Sequence, residues 1–178
     1  MEGHLLIVTG NLGSGKTTFC AKFLYEGARS FGEPGLYIST VESREEFLTY
    51  MKGLGMDFEP LERKGLFRYV EMLTPTFKDA LMNFSKELTK QAVEMEARRI
   101  AIDPITPILA LSSSIEARAI LHNALKLITK NLGAIVIMTE EVPIGKMRIG
   151  HGVEEFVADG IIRLRLEVPE AGAPRRIM

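Results

Sequence analysis

One cysteine in 178 residues, Cys20, leaves no internal disulfide to staple the chain. A lone cysteine in an apolar stretch is expected to pack inside a helix rather than act as a nucleophile. Long hydrophobic runs are missing as well. Nothing approaches the roughly 18 apolar residues of a bilayer crossing, and the N-terminus lacks the basic and apolar regions of a signal peptide, so a cytoplasmic chain with no membrane contact is expected. Charge of one sign is not in excess, with 22 basic against 23 acidic residues and a formal net charge of -1. General attraction to nucleic acid or acidic lipid is thereby excluded, and any such binding would need a local patch. His4 and His122 have no second His or Cys at ligand spacing, which argues against a structural metal centre. No N-K-x-D sequence is present, which disfavours guanine specificity, and no repeat or low-complexity segment breaks the chain. What remains is the size of one ordinary domain over residues 1–178, large enough to bury about 70% of its unfolded surface.

The chain alternates strand and helix patterns. "HLLIVT" (4–9), "GLYIST" (35–40), "LFRYVE" (66–71), "RIAID" (99–103), "AIVIMT" (134–139) and "GIIRLRLEV" (160–168) are short and aliphatic, and several show little alternation, as strands covered on both faces do. Between them, Leu81, Phe84, Leu88, Ala92 and Met95 within 76–98, and Leu121, Leu125 and Ile128 within 114–132, recur at helical spacing. "SREE" reads as a capping box with Ser43 as N-cap and Glu46 at N3, opening a helix that "GLG" at 53–55 ends. In the last strand Arg163 and Arg165 alternate with Leu164 and Leu166, predicting one wet and one buried face. Met51, Met72, Met82 and Met95 fall at core-like positions. The expected fold is α/β, a mostly parallel sheet flanked by helices on both faces.

The stretch "GNLGSGKT" places Gly10, four residues, then Gly15-Lys16-Thr17 between an apolar strand and a helix. This is the phosphate-binding loop pattern in its proper context. Glycines let backbone N–H groups close around a dense negative charge with no Cβ in the way. Lys16 supplies a point charge for β and γ phosphates, the helix starting near Gly15 points its positive end at them, and the Thr17 hydroxyl is placed to ligate Mg2+. Gly10, Asn11, Leu12, Gly13, Ser14, Gly15, Lys16, Thr17 and Thr18 are therefore the candidate contacts of a bound polyphosphate.

Such a loop calls for a carboxylate at the end of a neighbouring strand. Asp103 ends "RIAID", and Pro104 stops the ladder there. A carboxylate at that edge must be compensated by a cation or by donors. Hydrolysis would need a third group to orient or deprotonate water. Glu42 directly follows the second strand, and Glu140 with Glu141 follow the fifth, all at the edge where open α/β sheets bind ligands. A solvated loop carboxylate is the plain alternative for each. Thr139, at the tip of the fifth strand, could sense a γ-phosphate or be an ordinary strand-end threonine.

"GNLGSGKTTF", "LYISTVES", "IAIDPITPI", "IVIMTEE" and above all "GHGVEEFVADGIIRL" together resemble the KaiC-like branch of the RecA-like P-loop ATPases, over about residues 3 to 168. The resemblance implies ATP and Mg2+ as ligands, with the metal held by Thr17 and Asp103. It also implies a catalytic carboxylate after the second strand with Lys16 on the phosphates, and hexameric rings with ATP at the interfaces. The chain departs from the family pattern in three places. Val41-Glu42 stands where two adjacent glutamates are usual, so Glu42 alone can serve, and weak turnover is expected. Met1-Glu2-Gly3 leads straight into the first strand where the family has a "GIPGLD"-like leader. Near the C-terminus "PRRIM" falls where a basic strand should be under way; a hairpin-like extension is expected there, Arg175 and Arg176 lying just upstream of the matching basic residues. The domain is thus expected to be shortened at both ends.

The segment 143–152, "PIGKMRIGHG", carries Lys146, Arg148 and His151 with no acid. It could grip phosphates of nucleic acid or of a neighbour's nucleotide, or be a solvated loop. The reading that follows is an ATPase, or an ATP-dependent oligomeric switch, of low turnover. Its alternatives are an ATP-binding assembly or signalling module with negligible turnover, and a RecA/RadA-like DNA-binding ATPase. A homo-oligomer is expected, and a protein partner stays open. A small-molecule kinase is disfavoured, because no acid cluster is available for an acceptor.

Overall fold

A computed structural model describes residues 3–72, 78–111, 115–141, 158–167 and 175–177. Seven strands form one sheet: β1 (Leu5–Gly10), β2 (Gly35–Ser39), β3 (Phe67–Glu71), β4 (Arg99–Asp103), β5 (Ile135–Glu141), β6 (Gly160–Glu167) and β7 (Arg175–Ile177). The helices are α1 (Lys16–Phe31), α2 (Arg44–Gly53), α3 (Glu59–Arg63), α4 (Lys78–Glu94), α5 (Thr106–Leu111) and α6 (Ile115–Leu132). Strand order is β3-β2-β4-β5-β1-β6-β7. The first six strands are parallel, and β7 pairs antiparallel with β6, Arg165 opposite Ile177. The hairpin-like extension is therefore present, with Arg175 and Arg176 in its second strand.

Period-two alternation sends strand side chains into two cores. Ile7, Ile38, Ile102 and Met138 pack with Leu81, Leu88, Leu121 and Ile128 of α4 and α6. Val8, Tyr37, Ala101 and Ile137 pack on the other face with Cys20 and Leu24 of α1 and with Phe47 of α2. Helices thus cover both faces, and Cys20 is a buried packing residue. Burial raises its thiol pKa well above the ordinary value, Asp103 adding to the rise and Lys16 opposing it. Met51, Met72 and Met95 are buried as expected; Met82 is exposed, because its position is one residue, about 100° of helix, from the core-facing Leu81. Leu164 is buried but Leu166 is exposed, so the wet-and-dry alternation of β6 fades towards its end.

Local signals set most boundaries. The Ser43 hydroxyl accepts from the Glu46 amide at 3.4 Å while Glu46 reaches back to the Ser43 amide at 3.2 Å, closing the capping box that starts α2. Ser43→Ala is expected to cost about 1 kcal/mol of unfolding free energy, read from the denaturation midpoint at unchanged m-value. After α2, Gly55 takes a φ of 82°. The 76–98 helix pattern ends at Glu94, earlier than expected. Glu96 adopts a φ of 50°, and the Ala97 amide turns back to the Ala92 carbonyl at 3.0 Å, which closes the helix. Helices α3 and α5 are too short to show a period, and the one local mark of α3 is a proline, Pro60, at its start.

The N-terminal strand is locked from below and above. Asp159 accepts the Leu5 amide at 2.7 Å, joining the start of β1 to the start of β6. At the other end, a Cβ on Gly10 would lie 2.4 Å from the Leu164 carbonyl oxygen and 2.6 Å from Ser14 Oγ. Since the first of these is backbone that cannot swing aside, Gly10→Ala is expected to destabilise by roughly 1–3 kcal/mol, measurable by thermal or urea unfolding.

Candidate nucleotide site

The carboxyl ends of β1, β2, β4 and β5 meet around one cleft of about 420 Å³, lined among others by Gly13, Lys16, Thr17, Glu42, Asp103 and Glu141. This is the edge at which parallel α/β sheets take ligands. Between β1 and α1 the chain turns through Gly13 (φ 75°) and Gly15 (φ 95°), left-handed conformations that only glycine adopts cheaply. Gly15 is the N-cap of α1, with no side chain capping the helix and no acid in its first turn. The first turn of α1, with its positive dipole end, therefore opens on the cleft with no side-chain cap and no acid of its own. Ser14 Oγ is buried and has no hydrogen-bond partner among the described residues.

Lys16 opens α1 and is 8% exposed. Its Nζ donates to the Gly10 carbonyl at 2.9 Å and to the Asn11 carbonyl at 3.0 Å, which holds the ammonium folded against the loop. Burial pulls its pKa below the ordinary lysine value, while the charges of Glu141, Asp103 and Cys20 push the other way. Thr17 and Thr18 line the same cleft, half-buried. Leu12 does too, but its side chain is 81% exposed, so within the loop its backbone rather than its side chain is built in.

Asp103, 8% exposed, is held on both oxygens. Thr139 donates to Oδ1 and the Tyr37 hydroxyl donates to Oδ2 at 2.5 Å. The compensation that a strand-end carboxylate demands is thus supplied by two neutral hydroxyls, leaving the negative charge in place. Thr139, open in the sequence between a phosphate sensor and an ordinary strand-end threonine, is a hydrogen-bond donor to Asp103. Tyr37 went unnoticed in the sequence because a tyrosine in a strand reads as packing. The signal lay in the register: Ser39 pairs with Asp103, and Tyr37, two residues earlier, shares the face of Ser39 on the adjacent strand. Burial raises the Tyr37 pKa well above its ordinary value, with the Asp103 charge second, so it remains a donor.

Glu42 is fixed through its backbone. Its amide donates to Ser39 Oγ at 2.8 Å, and its carbonyl accepts from the Tyr69 hydroxyl at 2.8 Å. Burial, then Asp103, then Glu46 raise its carboxyl pKa above the usual range. Glu140 and Glu141 lie inside β5 rather than in a following loop. Glu140 is buried opposite Thr9, whereas Glu141 lines the cleft. The structure therefore gathers the glycine loop, Lys16, Thr17, Asp103, Glu42 and Glu141. The basic segment 143–152 and most of "GHGVEEFVADG" lie outside the described residues.

A family model described as "ATPase: KaiC" matches residues 1–178. The chain belongs to the KaiC ATPase family. The family implies nucleotide binding. Among solved structures, a KaiC-like protein from the archaeon Pyrococcus horikoshii superposes with a TM-score of 0.81 at 31% identity, over 98% of this chain and 76% of that one. A UPF0273 protein of Methanocaldococcus jannaschii is 28% identical across 93% of this chain and 73% of its own length. The circadian clock oscillator protein KaiC of Synechococcus elongatus is 30% identical across 92% of this chain, which spans 33% of that longer protein. The RecA-like P-loop fold expected from the sequence is thereby established. Among the described residues, no helix of this KaiC-family chain is long and apolar enough to cross a membrane.

Proposed function

We propose that this KaiC-family chain binds ATP with Mg2+ in the β1–β2–β4–β5 cleft and hydrolyses it slowly, ATP acting mainly to control assembly into a homo-oligomeric ring. The observation that carries the reading is the convergence, in one cleft, of an uncapped glycine-rich helix start, a buried lysine and three carboxylates, Glu42, Asp103 and Glu141. Among the described residues, no group of three or more His, Cys, Asp or Glu could hold a metal alone. A divalent ion here would take few protein oxygens, those of Thr17 and Asp103, with the remainder from phosphate and water, which suits Mg2+. The fit is supported by Asp103, whose hydroxyl partners are neutral and leave its charge for a cation. When bound, the ion neutralises charge on the phosphates during their transfer to water.

The chain's own groups supply the rest. Lys16 exchanges its two carbonyl acceptors for phosphate oxygens, a charge-assisted contact in place of neutral ones. The amides of the Gly13–Thr18 turn take the remaining phosphate oxygens. Glu42, deprotonated, orients the attacking water and accepts its proton. Tyr37 and Thr139 keep Asp103 in one orientation.

The second reading, a nucleotide-dependent assembly module with negligible turnover, is favoured by Val41. It is 76% exposed beside Glu42, where a second glutamate would strengthen the base. Phosphate release measured in parallel with mass by light scattering separates the two. The account expects slow release together with a rise in mass on adding Mg-ATP. Rise without release supports the module, and prompt turnover by monomers contradicts both. Salt-dependent retention of single-stranded DNA by the ATP-loaded protein would instead favour the DNA-binding alternative.

A further inference from the structure

We infer that Tyr69 is the positioning residue of Glu42, and that its stack on Tyr37 holds the water-orienting glutamate in a fixed place relative to Asp103. One aromatic pair thus sets the spacing of both carboxylates. The inference rests on the hydrolytic reading above and goes beyond it, since that reading gives Tyr69 no part. Tyr37 and Tyr69 stand directly opposite each other on β2 and β3. Their rings stack with centroids 5.2 Å apart and planes 8° from parallel. The Tyr37 hydroxyl donates to Asp103 Oδ2 at 2.5 Å, and the Tyr69 hydroxyl donates to the Glu42 carbonyl at 2.8 Å.

The hydroxyls set these two rings apart from their neighbours. The buried rings of this core are Tyr37, Phe47, Phe58, Phe67 and Tyr69. Packing alone is satisfied by phenylalanine, as at Phe67, which lies two residues before Tyr69 on the same face of β3 and meets Phe47 and Phe58. A buried hydroxyl costs free energy unless it is hydrogen-bonded. Both hydroxyls of this buried set go to the carboxylate-bearing residues of the cleft. Tyr69 is buried, and burial raises its pKa well above the ordinary tyrosine value, so it stays a donor.

The Tyr69 bond reaches the Glu42 side chain through the backbone. Glu42 lies in the short turn between β2 and α2, where Ser39 Oγ accepts its amide at 2.8 Å while Tyr69 holds its carbonyl. Each bond fixes one of the two planar peptide groups that meet at the Glu42 Cα, and two fixed planes determine the direction of the Cα–Cβ bond. Among the described residues the Glu42 carboxylate itself makes no hydrogen bond or ion pair, so the backbone hold is what aims it. Phe47, on the helix that follows the turn, packs on both tyrosine rings, 4.4 Å from Tyr37 and 4.9 Å from Tyr69, and anchors the turn from its other side. Glu42 is close enough to Asp103 for that charge to join burial in raising its pKa.

The test uses the intact chain and compares Tyr69→Phe, Glu42→Ala and the double variant with wild type. Tyr69→Phe keeps the ring stack and removes only the donor. It is expected to lower kcat by roughly 3- to 30-fold, less than the ~10²-fold that a 1 Å misplacement can cost, with KM and the calorimetric dissociation constant of Mg-ATP within about twofold of wild type. In the nucleotide-free protein, deuterium uptake over 40–44 should rise while that over 99–103 stays as in wild type. In the Glu42→Ala background the same substitution should change the single-turnover rate by less than about twofold, because no carboxylate is left to aim. A kcat unchanged by Tyr69→Phe, a fall of equal size with and without the Glu42 side chain, a parallel loss of Mg-ATP affinity, or unaltered deuterium uptake overturns the inference while the hydrolytic reading stands. Wild-type protein that binds Mg-ATP without releasing phosphate overturns the hydrolytic reading itself, and this inference with it.

Discussion

Lys16→Ala is expected to weaken Mg-ATP binding by a factor of roughly 30 to several thousand, the scale of about 2–5 kcal/mol found when one partner of a buried charge pair is removed. Lys16 is buried at the foot of the loop, and the phosphate charge would otherwise face only amide dipoles there. The same substitution should leave the nucleotide-free protein nearly as stable as wild type, or more so. Burial lowers the Lys16 pKa in the folded state. A lysine with a lowered folded pKa is destabilising wherever it is charged in both states, that is, below the lowered value, and the penalty disappears as pH rises past the unfolded value. At neutral pH the wild type bears that penalty and the alanine variant does not, which offsets the two hydrogen bonds lost to Gly10 and Asn11. Loss of affinity without loss of stability, followed by titration calorimetry and urea unfolding at pH 7, separates a ligand-gripping lysine from a structural one.

Glu42→Gln is expected to lower turnover by roughly 10²- to 10⁴-fold while changing nucleotide affinity only slightly, because the carboxylate acts on water and not on the ground-state phosphates. The pH profile carries a second signature. Burial, with Asp103 and Glu46, raises the Glu42 pKa, so the active deprotonated form is lost on acidification at a higher pH than for a free glutamate. The acid limb of wild-type kcat/KM, which reports the free protein, should lie above the value of a free glutamate, about pH 4.3. Stability moves with the opposite sign. A raised folded pKa means that the ionised carboxylate costs stability once pH exceeds it, and that the cost vanishes below the unfolded value. The Gln variant should therefore be the more stable protein at neutral pH, with the difference closing as the pH falls through the carboxylate range. A half-exposed group gives a small effect, read as a shift in the urea midpoint.

The strands and long helices were legible because their cause is local and repeated. Six aliphatic runs needed cover on two faces, and the spacing of Leu81, Leu88 and Leu121 supplied it. Ser43 and Glu46 announced their helix for the same reason, since a capping box is written in four consecutive residues. The phosphate loop was legible because its glycines are required by backbone conformation, as at Gly13 and Gly15. What escaped was whatever depends on register across the sheet. Tyr37 meets Asp103 only because β2 and β4 lie side by side, and Thr139 does so only because β5 flanks β4. Glu140 and Glu141 were read as following the fifth strand, because the aliphatic run ends at Thr139, yet β5 continues through them beside the last residues of β1. β7 was legible only through the resemblance, because three residues carry no period and gain strand conformation by pairing with β6.

The central claim is that the loop from Gly10 to Thr18 exists to hold a polyphosphate. Isothermal titration of the full chain with Mg-ATP at moderate salt tests it most directly. The account predicts a saturable heat corresponding to one nucleotide per chain, with the midpoint moved to roughly 30-fold or more higher nucleotide when Lys16 is alanine. No heat from the wild type, or the same isotherm from both proteins, would contradict it.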